Sequence, residues 1–93
     1  MIVSFGSKET ESIWLGNRVR KPALEIQLVA RRKLRMLNNA QDLNDLRIPP
    51  SNRLEKLSGN LKAFYSIRVN KQWRIIFKWN RGNASEAELI DYH

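Results

Sequence analysis

The sequence predicts a small α+β domain: two N-terminal helices packed on a twisted, mainly antiparallel sheet, in the order β-α-α-β-β-β. Three observations lead there. Residues 63–69 and 73–79 (A-F-Y-S-I-R-V and W-R-I-I-F-K-W) are rich in β-branched and aromatic side chains and alternate in polarity, which is how half-buried strands read. Asn70-Lys71-Gln72 between them is a polar break of hairpin-loop length. Ile26, Val29, Ala30, Leu34 and Leu37 recur at three- and four-residue steps, the period of an amphipathic helix. A chain of 93 residues buries one modest core and no second one, so residues 1–93 are expected to form a single domain.

Taken in order, Ile2 to Phe5 is a short apolar segment before Gly6 and is expected to be a first strand. Ser7 suits an N-cap, with Glu9 and Glu11 in the first turn where the helix dipole favours them; that helix carries Ile13, Trp14 and Leu15 and stops at Gly16. Arg18, Arg20 and Lys21 make a basic turn. Pro22 suits the first turn of the second helix, which runs to Met36 or Leu37 with Arg31, Arg32, Lys33 and Arg35 on its polar side. Asp42 to Leu46 is read as one further helical turn. Ile48-Pro49-Pro50-Ser51 fits neither regular helix nor central strand, because proline fixes its own φ and restricts the residue before it. The loop then delivers Arg53, Glu55, Lys56, Ser58, Asn60 and Lys62 ahead of the hairpin, with Gly59 free to turn: either an anion cradle or a solvated connection. Asn80 to Ser85 is a turn, and Glu86 to Ile90 a last strand.

A three-residue loop at 70–72 sets the hairpin register. Arg68 then faces Arg74, Ile67 faces Ile75, Ser66 faces Ile76 and Tyr65 faces Phe77. Because side chains alternate along a strand, Tyr65, Ile67, Val69, Trp73, Ile75, Phe77 and Trp79 share an apolar face toward the helices. Ser66, Arg68, Arg74 and Lys78 share the other, expected to be partly open and basic. Like charges opposite one another destabilise a ladder, so a facing arginine pair suits an anion site better than a structural sheet. The alternative is that both splay into water or pair with a carboxylate such as Asp91.

Seventeen Lys and Arg against nine Asp and Glu give a formal net charge of +8. That balance favours a polyanionic partner, nucleic acid first, or an acidic protein. With no cysteine, disulfides and thiolate zinc sites are excluded; with one histidine, His93, an all-protein metal site is not expected, nor any cofactor. No apolar run approaches the ~18 residues of a membrane span, and the first residues lack the pattern of a secretory signal, so the expected location is the cytoplasm, away from membranes. Asp91-Tyr92-His93 offers three proton-handling groups: an imidazole that titrates near neutrality, a carboxylate to orient it or accept a proton, and a phenol to donate to a phosphate oxygen.

N-R-L-E-K-L-S-G-N at residues 52–60, S-I-R-V-N-K-Q-W-R-I-I-F at 66–77, the R-x-P-P segment at 47–50 and D-Y-H at 91–93 together resemble the HigB-type toxins of the RelE/ParE superfamily, including the GraT-like branch. The resemblance implies a compact RelE-like domain and a toxin of a type II toxin–antitoxin pair. It implies a metal-independent endoribonuclease that cleaves mRNA in the ribosomal A site, and neutralisation by a HigA-like helix-turn-helix antitoxin through which operator DNA is reached. By motif position Arg74 would hold the scissile phosphate, and Asp91, Tyr92 and His93 would share proton transfer and orientation. Arg68 joins them from the strand register; Arg53, Lys56 and Lys78 are further candidates to bind RNA phosphates. Where some HigB-like toxins carry a loop histidine and lysine, this chain has Glu55 and Ser58, so Glu55 is either a candidate base or a solvated partner of Lys56, in a weaker or differently organised ribonuclease. Two other readings stay open: a non-enzymatic, ParE-like inhibitor of gyrase, and a basic nucleic-acid-binding module.

Overall fold

In a computed structural model that describes residues 1–92, helix α1 spans Lys8–Trp14. Ser7 caps it, its Oγ accepting from the Thr10 amide at 3.1 Å. The buried Thr10 hydroxyl in turn accepts from the Leu89 amide at 3.0 Å, fixing the helix to the sheet. Gly16 follows at φ +89, and the Arg31 side chain lies against the turn, Nε donating to the Trp14 carbonyl at 3.3 Å. Helix α2 spans Leu24–Asn39, starting two residues later than the sequence suggests. The buried Gln27 carboxamide explains the delay: it donates to the carbonyls of Val19 and Pro22 and accepts from the Val19 amide, holding that segment off the helix.

A second departure lies on α2. Lys33, expected on the polar side, is buried, and its Nζ donates to Asn52 Oδ1 at 2.6 Å. Asn52, fully buried, donates onward to the carbonyls of Leu46 and Ile48. This knot ties α2 to two short 3-10 turns, Leu43–Arg47 and Pro50–Asn52, the first closed by an Asp42/Asp45 capping box.

Four strands follow: β1 (Glu55–Lys56), β2 (Tyr65–Arg68), β3 (Trp73–Asn80) and β4 (Asn83–Asp91), antiparallel in the order β1-β2-β3-β4. The hairpin register is the expected one, including Arg68 opposite Arg74. Arg81 (φ 52) and Gly82 (φ 80) close the β3–β4 turn in two residues, so β4 begins earlier than Glu86. Pairing shifts between Ile76 and Lys78, and Glu86 itself takes φ 52, the mark of a bulge. Ile2 and Phe5 run parallel to this bulged edge as two isolated bridges to Ala84 and Ala87 rather than as a regular strand. The two helices lie on the sheet in an α+β domain. Its core holds Leu34, Leu37 and Leu46 with Ile67, Ile75 and Phe77, all but inaccessible to water. Among the described residues no helix is long and apolar enough to cross a membrane.

The opposite sheet face is less open than its polar residues suggest. Ser66 is 0% exposed, Arg74 7% and Ile76 5%; the Arg53 carbonyl reaches Arg74, and Glu55 pairs beside Ser66.

Candidate active site

The like-charged pair is accommodated by turning the two guanidiniums onto neutral oxygens. Arg68 Nε donates to the Asn70 carbonyl at 3.1 Å. Arg74 Nε donates to Ser66 Oγ at 2.8 Å and Nη2 to the Arg53 carbonyl at 2.7 Å. Arg53 adopts a left-handed conformation (φ 46, ψ 58) at the end of the 3-10 turn, which directs that carbonyl inward. Glu55 stands at 4.0 Å from Arg74, the outer edge of an ion pair. Burial pushes the Arg74 pKa down; the Glu55 carboxylate and Tyr92 counter it, and Arg68 and Arg53 add to it. An arginine does not lose its proton at neutral pH even so. The result is a rigid, partly desolvated cation whose charge is not fully cancelled by its partners.

Around it opens a cleft of about 420 Å³ lined by Arg53, Glu55, Arg68, Asn70, Lys71, Arg74 and Tyr92. Four cations therefore converge with one carboxylate and one phenol, a composition suited to phosphate and a poor match to an apolar ligand. The Tyr92 ring lies over the Arg74 guanidinium, 5.7 Å from centroid to Cζ. A smaller cavity of about 80 Å³ between α1 and α2 is lined partly by Ile13, Leu24 and Leu28 and lacks such a constellation.

Several sequence candidates thus meet: Arg53, Glu55, Arg68, Arg74 and Tyr92. Others stand apart from the cleft. Asp91 pairs across the ladder with Trp73 and accepts from Gln72 Nε2 at 3.0 Å. Lys56 sits over the Tyr65 ring, and Lys78 pairs with Glu86 at 2.9 Å while covering Phe64. His93 lies outside the described residues. Asn70 and Lys71 also line the cleft, although the sequence pattern does not single them out. A signal for Asn70 exists: an asparagine opening a hairpin loop accepts backbone N–H groups two and three residues on, and its Oδ1 takes those of Gln72 and Trp73 at 2.8 and 2.7 Å.

A helix pair backing a four-stranded antiparallel sheet, with this cationic cleft on the far side, is the frame of a compact RelE-like toxin domain. Residues 11–93 match the family model for the RelE-like toxin HigB of type II toxin–antitoxin systems, and the chain belongs to that family. It is similar to the toxin HigB-1 of Vibrio cholerae, 62% identical over 58 residues, which are 62% of this chain and 61% of the relative. It is also similar to an uncharacterized protein of Haemophilus influenzae, 44% identical over 61 residues, 66% of this chain and 60% of the relative. The match thus spans about three fifths of each relative's length.

Proposed function

We propose that this chain is a ribosome-dependent mRNA endonuclease that inhibits translation in the cytoplasm until a HigA-like antitoxin neutralises it. The observation that supports this most is the convergence of Arg53, Arg68, Lys71 and Arg74 on one cleft with a carboxylate and a phenol beside them. Four cations provide for RNA phosphates; the Glu55 and Tyr92 side chains provide for proton movement.

In this reading the RNA 2′-hydroxyl attacks the adjacent phosphorus. A bond forms between O2′ and phosphorus, the bond to the 5′-oxygen breaks, and a 2′,3′-cyclic phosphate remains. Glu55 takes the 2′-hydroxyl proton; it lies in the cleft, 4.0 Å from the guanidinium that would hold the phosphate. Arg74, fixed in advance by Ser66 and Arg53, stabilises the charge that builds on the phosphoryl oxygens. Tyr92 donates to a phosphate oxygen or to the departing 5′-oxygen, with His93 as the second candidate acid. Asp91, which does not line the cleft, orients the 91–93 segment.

Mapping mRNA 5′ ends after induction tests the assignment. Cuts phased with the reading frame and dependent on translation are expected. Growth arrest with intact mRNA and inhibited supercoiling would instead point to the gyrase-directed reading.

A further inference from the structure

We infer that Gln72 is a positioning residue of this site: it clamps residues 91 and 92 to the hairpin so that Tyr92 stays over Arg74. The inference rests on the endonuclease reading above and names the part that sets its geometry.

The regular pairing of β4 ends where Asp91 meets Trp73. Tyr92 follows just past the end of β4 and is itself exposed. Two bonds from one residue take over. The Gln72 carbonyl accepts from the Tyr92 amide at 2.6 Å, and Gln72 Nε2 donates to Asp91 Oδ2 at 3.0 Å. The loop that carries Gln72 is itself fixed: Asn70 Oδ1 accepts from the amides of Gln72 and Trp73, and the Asn70 carbonyl accepts from Arg68 Nε. One three-residue loop therefore joins an arginine of the cleft to the backbone of the tyrosine that faces it.

Gln72 does not line the cleft, so it acts through Tyr92 rather than on substrate. Its side chain is exposed and absent from the core, so the fold does not depend on it. Alanine at this position keeps the carbonyl and deletes the carboxamide. Glutamate removes that donor and sets a second carboxylate against Asp91, and the two repel.

The test uses the whole chain as wild type, Gln72→Ala and Gln72→Glu, with single-turnover cleavage of mRNA on programmed ribosomes. Gln72→Ala is expected to slow cleavage roughly three- to tenfold, the worth of one hydrogen bond. Ribosome affinity and Tm should stay unchanged, and the Tyr92 amide should exchange faster with solvent. Gln72→Glu removes the same donor and faces Asp91 with a like charge, so it is expected to be at least as slow as Gln72→Ala at neutral pH. Wild-type cleavage rates in both variants overturn the inference, whatever the exchange data show. So does a loss that comes with weaker ribosome binding or a lower Tm. A wild-type chain that cleaves no ribosome-bound mRNA removes the endonuclease reading itself, and the inference with it.

Discussion

Replacing Arg74 with lysine separates charge from geometry. A lysine keeps the positive charge but cannot hold Ser66 Oγ and the Arg53 carbonyl while offering a planar fork to phosphate. Cleavage by Arg74→Lys is therefore expected to fall about 100-fold in a single-turnover assay. The stability loss should be only about 1–3 kcal/mol, from buried acceptors left unpaired, read as a shift in denaturant midpoint. A lysine variant with near-normal cleavage would show that charge suffices. Glu88 gives a stability prediction remote from the cleft. Burial, and secondarily the Glu9 carboxylate, raise its pKa in the folded protein. A raised carboxyl pKa means the folded state prefers the protonated form, so the penalty is fully present at neutral pH and fades as the pH falls through the folded value. Glu88→Gln should melt higher than wild type at pH 7, and the gap should close toward about pH 4, the ordinary carboxyl range. A gap independent of pH would assign the effect to something other than ionisation. At this scale the sequence reveals the arginine pair, since a three-residue loop fixes which residues face one another. It does not reveal that Lys71 joins the cleft, because that depends on where the loop folds relative to Arg53 and Tyr92.

Elements differ in how much of themselves they display. β2, β3 and α2 carry strong periodicity, and each is found where its pattern lies. β1 is two polar residues, Glu55-Lys56, with no alternation to detect; it exists because the edge of β2 offers Ser66 and Tyr65 as partners. Ile2 to Phe5 reads as a strand, yet the bulge at Glu86 permits only two bridges. The burial of Lys33 is invisible to helical periodicity because its partner, Asn52, belongs to a different element. That knot explains how α2 steers the segment carrying Arg53 and Glu55. Removing its acceptor leaves a buried ammonium, already pushed down in pKa by burial and by neighbouring Arg32, without its oxygen. Asn52→Ala should cost about 2–3 kcal/mol in chemical denaturation and lower cleavage as well, since Arg53 is the next residue. Loss of stability with cleavage intact would show that the knot supports the fold but not the site.

Across the whole molecule, the charge of +8 is legible in composition, but its distribution is not. Some cations are occupied: Lys78 is paired with Glu86, Lys56 covers Tyr65, and Lys33 is buried. Others converge on the cleft, with Lys71 exposed at its rim. Single-stranded RNA releases counterions for each phosphate neutralised, so the slope of log affinity against log salt changes by about 0.7 for every phosphate that loses its cation. Lys71→Ala should therefore lower the slope for binding a short mRNA or a programmed ribosome by about that amount. Lys78→Ala should leave the slope nearly unchanged, although both variants remove one positive charge. Equal slopes in the two would mean that RNA responds to the total charge of the domain. A selective loss with Lys71→Ala would mean that phosphates lie in the cleft beside Arg74, where the proposed chemistry requires them.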